Sequence, residues 1–455
     1  MLVADLASTL QTPTVRVVLV AIGVSLAWVL AREITRIPAK LLVLMGAAFL
    51  DMVGLLMIVP LLPFYVKKLA GDGVPLFGTT LGVGTIAGFV VSAFTVAQLL
   101  SAPVWGRFSD RHGRRPALLI ALGASAVAYL IFGFAHTLSL LLLSRLVQGA
   151  GGGTVGVIQA YVADATAPEH RARALGWLSA ATNLGVALGP VLGSASVWLG
   201  DVDVLPGPAT WKMGDAAPGI VAASLCLLNM AFAARYLRES HEARSVPGSQ
   251  RTSPRHAAWR VLAHPVEPAS RLIWTYAVAI GAFQGISAVL ALFLNERFAI
   301  TEETIGYFYM YIGAISVYAR VLLLGRMVDR LGEVRLARLG TLILAAGVAG
   351  MPLAGSLPTL AIAVAMIPLG TAFTFPCVTA LLSRVIAPGD RGLYMGLQQT
   401  FGGLARASAP LFYGWAFDHL GIGVPFWCSA GLVLATLSFG VGLERHVRPK
   451  GSMGG

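Results

Sequence analysis

The chain is short of charge, of acid and of cysteine, and each shortage excludes something. Only 12% of its 455 residues are Asp, Glu, Lys or Arg, against 56% hydrophobic residues. Soluble globular proteins carry roughly 25% charged residues. With a mean hydropathy of +0.77, a water-soluble enzyme is excluded. The three cysteines, Cys226, Cys377 and Cys428, all lie in apolar stretches, so neither a disulfide framework nor a zinc cluster is indicated, and no metal or other cofactor is expected. The 21 Asp and Glu are outnumbered by 33 Lys and Arg, a net charge of +12. What the chain has is apolar length: about twelve helices of ~20 residues would occupy ~240 positions and leave short loops. This reads as an all-α polytopic membrane protein whose first partner is the lipid bilayer.

The placement of the basic residues decides between a polyanion-binding surface and a membrane topology. If a first core span near 41–64 leaves the cytoplasm and the spans alternate thereafter, 25 of the Lys and Arg residues fall inside and 4 outside (Lys67, Lys68, Lys212 and Arg297). That asymmetry is what the positive-inside rule produces, so the basicity records orientation and no nucleic-acid partner is expected. The spans read as 41–64, 79–104, 116–134, 138–163, 174–199 and 217–236, then 272–294, 303–324, 336–354, 359–384, 391–415 and 424–443. The polar segment 237–270 reads as a cytoplasmic linker between an N-terminal bundle (39–236) and a C-terminal bundle (271–445), and 446–455 as a cytoplasmic tail. In the extension 1–38, residues 17–31 are apolar all round between Arg16 and Arg32. A signal peptide fits this run poorly, because Asp5 precedes it and no base does until Arg16. An extra spanning helix, through which a protein partner would dock, is the favoured reading, and the expected location is the cell (inner) membrane.

The two bundles are copies of one pattern. Gly106-x-x-x-Asp110-Arg111-x-Gly113-Arg114-Arg115 recurs as Gly325-x-x-x-Asp329-Arg330-x-Gly332-x-x-Arg335, at an offset of 219. Ala167-Pro168 with Arg171 and Gly176 recurs as Ala387-Pro388 with Arg391 and Gly396, and Gly189-Pro190 as Ala409-Pro410, at an offset of 220. Parallel repeats of this kind are related by an axis along the membrane normal and place a site at the midplane between them.

Four motifs, in order along 40–445, carry a family resemblance. The chain resembles a major facilitator superfamily transporter, and within it the drug/proton antiporter branch that includes tetracycline efflux pumps. Residues 106–115 resemble the loop motif between helices 2 and 3. Phe49-x-Asp51-x-x-Gly54 through Pro60-x-x-Pro63 resembles the first-helix motif, Arg145-x-x-x-Gly149 the fourth-helix motif, and Gly185-x-x-x-Gly189-Pro190-x-x-Gly193 the fifth-helix motif associated with antiport. The resemblance implies a twelve-helix fold of two six-helix parallel repeats that rock about a central site. It implies a conformational latch at Gly106, Asp110, Arg111 and Arg114 that locks the outward-facing state. A weaker copy is implied at Gly325, Asp329 and Arg330, where Glu333 stands in place of a base. Physically, Gly106 permits a close approach of helix 2 to a neighbour, and Asp110 can accept from Arg side chains or face a helix N-terminus. Gly185, Gly189 and Gly193 share one helix face, which suits close packing, and Pro190 adds a kink. A formal Gly-x-Gly-x-x-Gly at Gly151, Gly153 and Gly156 follows no strand, so no dinucleotide site is read there.

Ionisable groups deep in a span are functional by default. At ~1.5 Å per residue, Asp51, Arg145, Gln284 and Arg406 all come out near the midplane, roughly 15–22 Å from the inner surface of a ~30 Å core. Arg320 lies about 8 Å from its inner end and is expected to snorkel. Arg145, Gln148, Gly149, Gly152, Gly156 and Gln159 follow the spacing of one helix face, a polar and small stripe suited to lining a cavity. Asp51 is the one carboxylate placed in mid-membrane. Burial and a neighbouring guanidinium act oppositely on its proton affinity, and the expectation is that it alternately binds proton and substrate, with Arg145 tuning it. Gln148, Gln284, Tyr311 and Arg406 are candidate substrate contacts. Tyr307, Tyr311 and Tyr318 share a face that would suit an aromatic solute or an interfacial belt. Arg145 and Arg406 against Asp51 favour anionic, zwitterionic or neutral solutes over lipophilic cations. The reading is a proton-coupled, multidrug-resistance-like exporter of small amphipathic molecules. The alternatives are an organic-anion or metabolite porter of the same fold without proton coupling, and a transport-inactive accessory protein. A membrane enzyme is not expected, since no nucleophile–base pair stands at membrane depth.

Overall fold

The computed structural model describes residues 39–440 apart from 72, 77–78, 153, 165, 167, 201–212, 238, 240–253 and 387–389. The apolar run at 17–31 and the tail 446–455 lie outside the described residues. Helices follow one another with little else: α1 (Ala39–Ile58) and α2 (Leu62–Ala70), then a short antiparallel pair β1 (Val74–Leu76) and β2 (Thr79–Leu81). The N-terminal half continues through α3 (Val83–His112), α4 (Arg114–Gly133), α5 (Leu138–Gly151), α6 (Thr154–Asp164), α7 (Pro168–Gly200) and α8 (Ala217–Tyr236). The C-terminal half has α9 (Pro254–Ala263), α10 (Pro268–Phe298), α11 (Ile305–Tyr318), a π-helical turn (Ala319–Leu323), α12 (Leu324–Leu353), α13 (Leu357–Val385), α14 (Arg391–Leu420) and α15 (Val424–Phe439).

Local sequence explains many of the boundaries. Proline stands in the first turn of α2, α8, α10, α13 and α15, where its missing N–H costs nothing. Ser356 and Thr359 form a capping box at the start of α13. Among the described residues, nine helical segments are long and apolar enough to cross a membrane, one of them the 49-residue run Ile305–Leu353. That run is about twice the length a bilayer needs, and it turns at Gly332, whose φ is +74°. Gly113, its counterpart in the first half, has φ +101° and separates α3 from α4. These are backbone conformations that favour glycine, and they fall at the repeat offset. Dividing the long run at Gly332, and adding α14 and the shorter α15, accounts for the twelve passes.

Several boundaries differ from the sequence reading. The first span breaks at 59–61, around Pro60, and resumes as α2. The fourth breaks at Gly152, outside both α5 and α6. The loop expected around 325–335 is helical except for the turn at Gly332. The segment expected as linker contains α9, whose Ala257 and Val261 are fully buried and whose Val261 carbonyl accepts from Trp274 Nε1 at 3.4 Å.

The antiport-type glycines are packing contacts. A Cβ at Gly185 would meet the Phe49 carbonyl at 2.7 Å, one at Gly189 the Val53 carbonyl at 2.9 Å, and one at Gly193 the Met57 carbonyl at 2.3 Å, so α7 lies directly on the backbone of α1. The Gly193→Ala change is expected to cost about 1–3 kcal/mol through overpacking, read as a lower thermal-unfolding midpoint in detergent. Gly176→Ala, on the same helix with nothing within 4 Å of its Cβ position, should leave the midpoint unchanged or raise it.

Candidate functional site

The two halves meet along two seams, α3 against α14 and α7 against α11. Both seams are tight at the end remote from the 106–115 loop. There Asp418 of α14 accepts from the first residues of α3: Gly84 N at 2.9 Å, Thr85 N at 2.7 Å and Thr85 Oγ1 at 2.6 Å. A Cβ on Gly414 would lie 2.2 Å from the Gly84 carbonyl, so the helices touch backbone to backbone. On the other seam Ser194 Oγ accepts from Gly306 N and donates to the Glu302 carbonyl, both at 2.8 Å. Lys68 Nζ pairs with Glu302 Oε1 across the halves at 2.8 Å. Lys67 Nζ donates to Asn295 Oδ1 at 2.8 Å.

Two cavities flank α6, one within the N-terminal half and one between the halves. The first, about 650 Å³, is walled by α1, α6 and α7; Asp51, Gln159, Ser179 and Thr182 supply its polar groups and Met52, Leu178 and Val186 its apolar ones. The second, about 600 Å³, lies between α3, α6 and α14. Gln98, Trp105, Gly106, Asp110, Gln399 and Arg406 are on its wall. Gly156, with nothing within 4 Å of its Cβ position, is the one described residue common to both linings.

The predicted midplane residues therefore separate. Asp51, 9% exposed, is on the first cavity and Arg406 on the second. Arg145 and Gln148 are on neither: they are 1% and 2% exposed and form a sealed polar cluster. Arg145 Nε donates to Ser144 Oγ at 3.2 Å, its guanidinium lies 5.4 Å from the centre of the Phe132 ring, and its Nη2 has no hydrogen-bond partner among the described residues. Gln148 Nε2 donates to the Tyr129 hydroxyl at 2.9 Å. Tyr129 lies against Gly54, one turn from Asp51, and within electrostatic reach of both Asp51 and Arg145. It joins Gln148 to the first pass at Gly54, and its mark in the sequence is a hydroxyl that, like that of Ser125, interrupts a largely apolar span. Gln284 is half-buried in α10 and lines neither cavity; the Tyr311 hydroxyl donates to the Ala361 carbonyl at 3.2 Å, and Tyr307, Tyr311 and Tyr318 are exposed and outside both.

Arg320 does not snorkel. It sits in the π-helical turn and its Nη1 donates to Asn183 Oδ1 across the α7–α11 seam, while Asn183 Nδ2 donates to the Ser179 carbonyl at 2.6 Å. A polar partner within the seam replaces the water that the side chain would otherwise have to reach. This cross-half contact carries no local sequence signal, since its partners are 137 positions apart.

The loop motif is closed on its own half. Arg114 Nη1 pairs with Asp110 Oδ1 at 2.6 Å and donates to Ser109 Oγ at 2.9 Å. Glu239 accepts from Arg114 N at 2.8 Å and Arg115 N at 3.2 Å, capping the positive N-terminus of α4. Arg111 is exposed, and nothing lies within 4 Å of a Cβ at Gly106, so the close approach expected there is not made in this conformation. In the second copy Gly325 is equally open and Asp329 and Arg330 are exposed, while Glu333 pairs with Arg384 of α13 at 2.5 Å. Among the described residues no group of His, Cys, Asp and Glu has the arrangement of a metal site.

Comparison with known proteins agrees with this architecture. A family model described as Major Facilitator Superfamily matches residues 44–371 and 319–452. Multidrug resistance protein 2 of Bacillus subtilis (strain 168) is 28% identical, over 86% of this chain and 92% of its own length. Tetracycline resistance protein, class C, of Escherichia coli is 27% identical, over 82% and 88%. The crystal structure of the human organic anion transporter MFSD10 (TETRAN) superposes with a TM-score of 0.63 at 24% identity, covering 89% of this chain and all of that one.

Proposed function

The chain belongs to the Major Facilitator Superfamily, a multi-pass membrane transporter and not an enzyme, and from that premise we propose that it exports small amphipathic molecules in exchange for protons by rocker-switch alternating access. The observation that carries this reading is Asp51: a nearly buried carboxylate halfway along the first pass, on the wall of a cavity in a bundle whose end remote from the 106–115 loop is sealed between the halves. The excess of basic residues at the loop end makes that end cytoplasmic, so the conformation is inward-facing, with central segment and C-terminus inside. The open surroundings of Gly106 fit a latch that is released inward and engaged outward. Asp51 is the proton carrier, and Tyr129 and the sealed Arg145–Gln148 cluster behind it set its electrostatic surroundings. The kinship with multidrug and tetracycline resistance proteins supports drug-like solutes. The second reading, a porter of organic anions without proton coupling, is favoured by Arg406 on the second cavity and by the fold likeness to a human organic anion transporter.

Flux into proteoliposomes under an imposed pH gradient, screened over cationic, neutral and anionic compounds, tests the choice. Proton-gradient-dependent accumulation of at least one class is expected. Gradient-independent flux of anions alone would establish the second reading, and no flux of any class would leave an accessory role.

A further inference from the structure

The two cavities differ in what they offer, and the difference bears on which solute is carried and how it is coupled. Arg406 lies at the middle of α14, half-buried, and makes no hydrogen bond or ion pair among the described residues. Arg114, the other basic residue on this lining, is paired with Asp110; away from the cavity, Arg320 donates to Asn183 and Arg145 is sealed under the Phe132 ring. An uncompensated guanidinium at membrane depth is costly, and an anion entering the cavity removes that cost. The volume of about 600 Å³ is that of a pocket for one drug-sized ligand. Trp105 is held with its edge toward α5, Nε1 donating to the Ala150 carbonyl at 2.6 Å, and with Leu99 it offers apolar surface to the body of such a molecule; Gln98 and Gln399 add amide groups on opposite halves.

Asp51, by contrast, is walled by α1, α6 and α7, all from the N-terminal half, and among the described residues its cavity shares only Gly156 with that of Arg406. Building on the transport reading above, we infer that the solute is an anionic amphipath whose charged group is held by Arg406 between the two halves, while the proton is held separately on Asp51, so that both are bound at once and neither displaces the other. Coupling then runs through helix packing and not through competition for one carboxylate. The contact available for it is α5 against α3, where a Cβ on Gly149 would lie 2.3 Å from the Phe94 carbonyl. The part of the fourth pass beside Asp51 is α6, across the break at Gly152, and α6 supplies Gly156 to both linings, so a shift there reaches the Arg406 cavity through α6 as well as through that contact.

Equilibrium binding to the purified full-length chain in lipid nanodiscs tests this with two probes of one ring system, naphthalene-2-sulfonate and trimethyl(2-naphthyl)ammonium. The sulfonate is expected to bind at least tenfold more tightly than the ammonium. Arg406→Gln should weaken sulfonate binding at least tenfold and Arg406→Lys less than fivefold, and Asp51→Asn should change it less than fivefold. Four results overturn the inference: no preference for the anion (absence of binding included), a smaller effect of Arg406→Gln, an Arg406→Lys loss as large as that of Gln, or an Asp51→Asn effect beyond fivefold. Gradient-driven flux of Asp51→Asn, run in parallel, is expected to fall to the rate without a gradient; retained gradient dependence would overturn the separate proton seat on Asp51, whereas the binding results alone decide the anion seat on Arg406.

Discussion

Asp51→Asn is expected to reduce pH-gradient-driven uptake in proteoliposomes to the rate seen without a gradient, while solute exchange at equal pH on both sides continues. Asn keeps the shape and one carbonyl oxygen of Asp, so the packing of α1 against α7, which rests on backbone contacts at Phe49, Val53 and Met57, is left alone. What is removed is the ability to carry a proton into and out of the membrane. The comparison variant is Asp110→Asn, whose carboxylate is 60% exposed and paired with Arg114 on the same loop. An exposed pair of that kind contributes little, roughly 0–1 kcal/mol, and lies outside the Asp51 cavity, so this variant should retain gradient dependence even where its turnover changes. Asp51→Asn protein that is folded by size-exclusion profile yet still accumulates solute against a gradient would remove the proton assignment.

Much of the architecture is legible in the sequence because membrane helices announce themselves by length and because the chain repeats itself. The pairing of Gly113 with Gly332 is visible as a sequence repeat, and both φ angles are positive. The glycine face of the fifth pass is legible for a similar reason: residues four apart in a helix share a side, and small ones invite a neighbouring backbone. The interruptions are harder to read. Gly152 ends α5 within a run of three glycines, whose weak helix propensity favours a break without requiring one in a membrane span, and the loop expected near Gly325 is helical because hydrogen bonding resumes on either side of a single glycine. The site is legible only residue by residue. Asp51 and Arg406 stand out as charges in apolar runs, but which cavity each faces depends on helix rotation, and the spacing puts Arg145 and Gln148 on a cavity-lining stripe where the structure seals them. Tyr129, Asn183 and Asp418 act through partners 19 to 334 positions away, and a single sequence contains no signal at such separations.

Asp418→Asn is expected to shift the population from the conformation sealed at the end remote from the loops toward one open there. The Asp418 carboxylate accepts three hydrogen bonds at the N-terminus of α3, where helix geometry leaves backbone N–H groups unpaired and the macrodipole is positive. Hydrogen bonds to a charged group contribute about 1.5–3 kcal/mol each in favourable settings. The half-buried position reduces this, and Asn keeps one acceptor, so a net loss of about 1–2 kcal/mol is the reasonable figure. Every ~1.4 kcal/mol is tenfold in an equilibrium constant, which makes the open population rise by about five- to thirtyfold. Lys68→Gln removes two ion pairs, to Asp215 within its own half and to Glu302 across the halves, but the lysine is 42% exposed, and solvent screening limits the effect to well under that of Asp418. The measurement is the distance between spin labels on His136→Cys and Gly355→Cys, which are exposed at that end on opposite halves, in a background where Cys226, Cys377 and Cys428 are replaced. A longer-distance population should grow in Asp418→Asn and less so in Lys68→Gln. Identical distributions in the parent and Asp418→Asn would mean that the backbone contacts at Gly84 and Gly414 alone hold this end shut. In that case adding a side chain at Gly414, and not removing one at Asp418, is the change that opens it.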